Sequence, residues 1–156
     1  MIECSIDIGA PCERVFDVVH DYGIRLRWDT LLSKACITDG SSAAGLGVRT
    51  LCVGRYTMAG LGMETVYISF DRPHVAAVRM ERGPLFVSAF AASIMHVALE
   101  GSASRVTYKF QIRARPRFLS PIVSAMFQRE TLKRLTSLKR FIESDGAGIP
   151  RSAIIL

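Results

Sequence analysis

No stretch of this chain is long and apolar enough to cross a bilayer as a helix. The longest uncharged run, residues 83–99, contains Pro84, Ser88, Ser93 and His96 and falls short of the roughly 20 strongly apolar residues that a spanning helix needs. With 49% of the chain apolar, that surface is expected in a core, and 83–99 reads as a buried strand. Glu3 and Asp7 stand against a signal peptide. Cysteine is sparse: Cys4, Cys12, Cys36 and Cys52 show neither a CxxC nor a Cys/His ligand spacing, which argues against a zinc site and against a disulfide-stapled secreted scaffold. Reduced thiols in a cytoplasmic protein are therefore expected, with no metal and no other cofactor. Linkers and internal repeats are also missing, so the 156 residues are read as one domain over 1–145 with a tail over 146–156. The apolar end of that tail, Ile154-Ile155-Leu156, has no assigned role.

Signatures of catalysis are absent as well. His20, His74 and His96 fall in unrelated elements with no nucleophile motif around them. Glu64, Asp71, Glu81 and Glu100 lie in strands or at their ends, where solvent is the ordinary surrounding of a carboxylate. Gly60-Leu61-Gly62 sits between two strands and reads as a turn, not a phosphate cradle. The net charge of +6 comes largely from Arg113, Arg115, Arg117 and the polar side of the last helix. These arginines do not interleave with aromatic residues, and the Phe and Tyr of the last strand point the other way, so nucleic acid is not an expected partner. A basic surface of this kind is a solvated face, or one that meets anionic lipid peripherally.

What the chain does have is a long amphipathic helix near its C-terminal end. Phe118, Ile122, Ala125, Leu132, Leu135, Leu138 and Ile142 recur at steps of three, four and seven, with Glu130, Lys133, Arg134, Ser137 and Arg140 on the other side. Pro116 and Pro121 mark its start, and Gly146 and Gly148 follow its end. Between Ala125 and Leu132 the apolar stripe weakens, because Gln128 and Arg129 fall on it. Two readings stand: a helix end leaning into solvent with Arg129 snorkelling, or a face turned to a cavity.

Ahead of this helix the pattern begins with alternation, Ile2, Cys4, Ile6 and Ile8 against Glu3, Ser5, Asp7 and Gly9, which predicts a strand. Ala10-Pro11 then opens a helix with Cys12, Val15, Phe16 and Val19 on one face, and Gly23 is placed to end it. Ile24, Trp28, Leu31 and Leu32 follow at helical spacing and predict a second short helix. From there the period is two, and turn clusters at 39–45, 59–62, 71–73, 83–84 and 101–104 cut the chain into strands. The predicted strands are Lys34–Thr38, Leu46–Tyr56, Met63–Phe70, Val75–Arg82, Phe86–Glu100 and Arg105–Arg115. With the first there are seven, linked by short turns into an antiparallel meander. The expected class is α+β, a curved seven-stranded antiparallel sheet around one long helix.

This order of elements, together with particular residues, resembles a known superfamily. The residues are Ile8-x-Ala10-Pro11-x-x-x-Val15-Phe16-x-Val18, His20-Asp21-Tyr22 with Trp28-Asp29, and Phe70-Asp71-x-Pro73. To these are added Gly101-x-x-x-Arg105-Val106-Thr107-Tyr108 and Leu135-x-x-Leu138-Lys139-x-Phe141-Ile142-Glu143. The pattern is similar to the START/Bet v 1-like (SRPBCC) superfamily, in its polyketide cyclase/dehydrase and lipid-transport branch. The resemblance implies the helix-grip fold, with a cavity between helix and sheet. Phe141 and Ile142 are read as packing residues.

Candidate ligand contacts follow from that cavity. They are Trp28, Tyr67, Met80, Phe90, His96, Tyr108 and Phe110 from the first helices and the sheet, and Ala125, Met126 and Arg129 from the long helix. Trp28 is an anchor closing the short helices onto the sheet or part of a portal. His96 is a satisfied core residue or a cavity group able to hydrogen-bond a ligand oxygen. Met58, Met63, Met80, Met95 and Met126 supply adaptable side chains for a permissive pocket or for core gaps. The expected function is binding of a hydrophobic small molecule such as a lipid, polyketide or aromatic metabolite. One alternative is a polyketide aromatase/cyclase or dehydratase using His96, Arg129, Tyr67 or Tyr108. The other is a partner-binding module using the basic helix face. Oligomeric state is left open.

Overall fold

A computed structural model of the protein describes residues 1–55 and 61–145. Its elements are β1 (Ile2–Ile8), α1 (Cys12–His20), α2 (Arg25–Trp28), β2 (Leu32–Ile37), β3 (Arg49–Gly54), β4 (Gly62–Asp71), β5 (Val75–Arg82), β6 (Val87–Leu99), β7 (Ala103–Ala114) and α3 (Ser120–Asp145), with short 3₁₀ turns before β7 and before α3. The seven strands form one sheet in the order β1-β7-β6-β5-β4-β3-β2, and every pairing is antiparallel. This is the curved seven-stranded antiparallel sheet around one long helix expected from the period of the sequence, and the helix-grip fold that the resemblance implies. Met58, the predicted end of the third strand at Tyr56 and the tail over 146–156 lie outside the described residues.

Alternation decides which side of the sheet is dry. In β7, Ser104, Val106, Phe110, Ile112 and Ala114 are buried, while Arg105, Gln111 and Arg113 are exposed. On the wet side, β1 and β7 are tied by pairs that sit directly opposite in register: Lys109 with Glu3 at 3.3 Å, Thr107 with Ser5 at 3.0 Å and Arg105 with Asp7 at 2.7 Å. Such cross-strand pairs stabilise modestly and fix the register. Breaks in register within β2–β3, β4–β5 and β6–β7 bend the strands, as bulges do, and the sheet curls around α3.

The helix lies over β1 and β7. Leu135, Leu138 and Ile142 join Cys4, Ile8, Val15, Val19 and Val106 in one core cluster. Lys139 donates to the Asp7 carbonyl at 2.6 Å, and Glu143 accepts the Gly9 amide at 3.0 Å. The C-terminal half of α3 is thus clamped to the start of the chain. A second cluster joins Phe90, Phe110 and Ile112 to Phe127, and a third gathers Phe16, Val48, Tyr67 and Ala76.

Two readings are corrected here. The second short helix was expected to run through Leu31 and Leu32, but it ends at Trp28, and Leu32 begins β2. More consequentially, the N-terminal half of α3 turns a different face inward. Val123 is half-buried and Phe127 and Thr131 are buried, whereas Ala125, Met126 and Arg129 are exposed. At about 100° per residue, Phe127 lies within about 20° of Leu138, while Ala125 is about 140° and Arg129 about 180° away. Thr131 hides this stripe, because it is polar yet buried, its hydroxyl returned to the Phe127 carbonyl at 2.8 Å. Phe118, Ile122 and Leu132, which suggested the other stripe, are exposed.

Candidate functional site

Between α3 and the curled sheet lies a cavity of about 140 Å³. Val78, Phe90, Ala92 and Ile112 form its sheet wall, and Val123 and Phe127 its helix wall. Leu61, Met63, Pro84 and Phe86 also line it; all are half-buried and mark the part nearest solvent. At the other side polar groups converge: His20 and Tyr22 from the end of α1, Arg25 from α2, Tyr67 from β4, Tyr108 from β7 and Arg134 from α3.

That polar side is built around Asp29, a carboxylate with no exposed side-chain surface. Its Oδ2 accepts from Arg25 Nε and from Arg134 Nη2, each at 2.8 Å, and its Oδ1 accepts the Leu31 amide at 3.2 Å. Arg25 also donates to the Val19 carbonyl at 2.9 Å. Burial alone would raise the Asp29 carboxyl, but Arg134 and then Arg25 hold it below the usual carboxylate range. Aromatic faces cover the cations: the Arg25 guanidinium lies 4.8 Å from the Trp28 ring and 5.7 Å from Tyr22, and that of Arg134 lies 5.6 Å from Tyr108.

Beside the triad, the Tyr67 hydroxyl is 2.8 Å from His20 Nδ1 and 3.3 Å from the Tyr22 hydroxyl. Burial, reinforced by the neighbouring Arg25 and His96, pushes the His20 pKa down to about 3. Burial, followed by Tyr22, raises that of Tyr67, and burial raises those of Tyr108 and of the Cys52 thiol. At neutral pH the site therefore holds a neutral His20 imidazole, the protonated Tyr67 and Tyr108 hydroxyls and Cys52 thiol, and two guanidiniums sharing the Asp29 carboxylate. It can donate hydrogen bonds to an oxygen and attract negative charge. His20, with its pKa lowered, and Tyr67 and Tyr108, with theirs raised, are all moved away from the range in which they would exchange a proton near pH 7. Among the described residues no cluster of three or more His, Cys, Asp or Glu converges as metal ligands would, and no helix is long and apolar enough to cross a membrane.

Of the residues singled out in the sequence, the structure brings Tyr67, Phe90 and Tyr108 together on the cavity. Phe110 and Met80 pack behind Phe90 in the adjoining core. Trp28 is 3% exposed and is wedged in the core under Arg25, an anchor and not part of the lining. His96 is buried on the same face of β6 as Phe90, Ala92 and Ile94, but farther along the strand, where it packs against Phe16 and borders a separate depression beside Pro11 and His74 instead of the cavity. Ala125, Met126 and Arg129 point to solvent. Arg134, grouped by its charge with the polar face, is 8% exposed, and Arg25, His20 and Tyr22 had no assigned role at the cavity. The spacing of Arg25 and Asp29, four apart on a short helix, was the signal that an ion pair forms there; nothing local shows that a second arginine from 105 residues away completes it.

A family model described as polyketide cyclase/dehydrase and lipid transport matches residues 2–143. No curated relative matches the sequence. Among solved structures, the Zhui aromatase/cyclase from Streptomyces sp. R1128 superposes with a TM-score of 0.77 at 16% identity, over 91% of this chain and 92% of that one. A START superfamily protein from Mycobacterium smegmatis gives 0.75 at 12% identity, over 92% and 97%. The di-domain aromatase/cyclase BexL of the BE-7585A biosynthetic pathway gives 0.74 at 14% identity; there this chain is covered to 91% and spans 46% of the larger protein. At these identities the likeness is one of fold.

Proposed function

This chain belongs to the polyketide cyclase/dehydrase and lipid transport family, and on that premise we propose that it binds a small hydrophobic molecule between α3 and the sheet, as a carrier or receptor rather than a catalyst. The observation that carries the reading is the apolar cavity of about 140 Å³ with polar groups gathered on one side, the usual composition of a small-molecule site. A cavity of roughly 150 Å³ holds a benzene molecule, so the enclosed part of the ligand is a single ring or a short acyl chain. The protonation states favour binding over turnover, since His20 at about 3 is too weak a base, and the raised Tyr67 too weak an acid, for efficient proton transfer at pH 7.

A second reading, the aromatase/cyclase, is favoured by the Tyr22–Tyr67–His20 cluster, whose hydroxyls border the cavity and would hold a ligand carbonyl. It requires turnover of a poly-β-keto thioester, and Tyr67→Phe would then abolish product formation while leaving binding intact.

The binding reading is tested with a neutral probe, 3-phenylpropan-1-ol, titrated calorimetrically into the wild type and Ala92→Phe. Filling the cavity is expected to weaken the probe at least tenfold with the unfolding midpoint unchanged. If the probe does not bind the wild type, and Ala92→Phe destabilises by the about 1–3 kcal/mol of an overpacked core, the space is core and the reading fails.

A further inference from the structure

We infer that the ligand carries a compact monoanion, a carboxylate at the end of its apolar body, seated against Arg134 and Arg25. The inference rests on the cavity being a binding site. Its basis is an imbalance of buried charge. Two guanidiniums, each with 9% of the side chain exposed, share one carboxylate, that of Asp29, and among the described residues no other carboxylate lies within ion-pair distance of either. The nearest further acid on α3, Glu130, is paired outward with Lys133 at 3.1 Å. Of the other titratable neighbours, Cys52, Tyr67 and Tyr108 are kept protonated by their burial and His20 is kept neutral. The cluster therefore bears one positive charge more than it neutralises, in a place shielded from water.

An unbalanced buried charge is costly unless something completes it. Ring faces and the Val19 carbonyl soften the cost for Arg25, while Arg134 directs one of its five N–H donors at Asp29 and has the Tyr108 hydroxyl as a second hydrogen-bonding neighbour, so its fork is only partly used among the described residues. Both arginines line the cavity, so the excess charge faces the ligand space and not the bulk. A planar carboxylate matches a guanidinium fork, and its apolar remainder would lie along Phe90, Ile112 and Phe127. A cationic ligand is disfavoured by the same charge. A neutral one gains only ordinary hydrogen bonds.

The test compares 3-phenylpropionate with the alcohol of the same shape, 3-phenylpropan-1-ol, on the full chain at pH 7. The acid is expected to bind at least about tenfold more tightly, with the preference kept in about 0.5 M NaCl, which screens surface arginines but not buried ones. Arg134→Met leaves the Arg25–Asp29 pair neutral and is expected to bring the acid down to the alcohol's affinity, while Arg134→Lys retains the preference. Equal binding of acid and alcohol to the wild type, loss of the preference in salt, or its survival in Arg134→Met overturns the inference and leaves the binding reading standing. Binding of neither compound overturns the binding reading itself. Should Arg134→Met not fold, the wild-type ratio at low and high salt decides alone.

Discussion

His96 sits in β6 with 3% of its surface exposed and with neither ring nitrogen hydrogen-bonded, 5.3 Å from the Phe16 ring. Burial lowers its pKa to about 4, against about 6.5 in an unfolded chain. The unfolded state therefore takes up the proton first as pH falls. Stability is complete above about pH 6.5 and drains away toward about pH 4, at about 1.4 kcal/mol per pH unit for this one group. His20 acts in the same direction and over a longer range. Urea denaturation at pH 7, 5.5 and 4 is expected to show the decline, and His96→Leu to reduce its slope by one proton's worth. At pH 7 the variant should be no less stable than wild type, since it removes two buried nitrogens without partners. An unchanged slope would mean that His96 is protonated in the folded state. The contrast with Asp29 is instructive. Both are buried polar side chains, but the carboxylate keeps its charge because two guanidiniums and an amide meet it, while the imidazole, with only an aromatic edge for company, gives its charge up.

At the scale of the element, α3 divides into two halves with different determinants. From Leu135 onward, leucine and isoleucine fall on the buried side and the periodicity is unambiguous. Before Leu135 the inward face is Val123, Phe127, Thr131 and Arg134, only two of them apolar, whereas the outward face carries Ile122, Met126 and Leu132, with Phe118 exposed just ahead of the helix. Amphipathic pattern alone therefore picks the wrong side. Substitutions discriminate directly: Phe127→Ala is expected to cost about 3–5 kcal/mol, as a buried phenylalanine does, and Ala125→Phe to stay within about 0.5 kcal/mol, as exposed substitutions do. Denaturant midpoints that reverse this order would place Ala125 inside. Of the exposed apolar residues here, Phe118 follows directly on Arg117, and Arg113, Arg115 and Arg117 are all exposed.

At the scale of the whole molecule, the core clusters share residues. Tyr108 and Ile2 pack against both the cluster under the C-terminal half of α3 and the one around Phe127, and the single tryptophan, Trp28, is locked between the short helices and α3, its carbonyl accepting from Ser137. Unfolding is expected to be one transition: Trp28 fluorescence and far-ultraviolet dichroism should give coincident denaturation curves, and Leu138→Ala should shift both together by about 2–5 kcal/mol. Separate curves would mean that α3 leaves the sheet on its own. The seven strands, the meander order of β2 to β7 and the long helix were written in the sequence, because alternation and helical period are local properties fixed by which side of an element meets water, whereas the pairing of β1 with β7 was not. Tyr67, Phe90 and Tyr108 were also readable as large side chains on the dry face of the sheet. What only the tertiary structure decided was the rotation of α3 in its N-terminal half and the meeting of Arg25, Asp29 and Arg134. A charged residue is placed on the surface by any reading of pattern, since alone it belongs there. It goes inside only when a partner from a distant segment is waiting, and that is a fact of three dimensions.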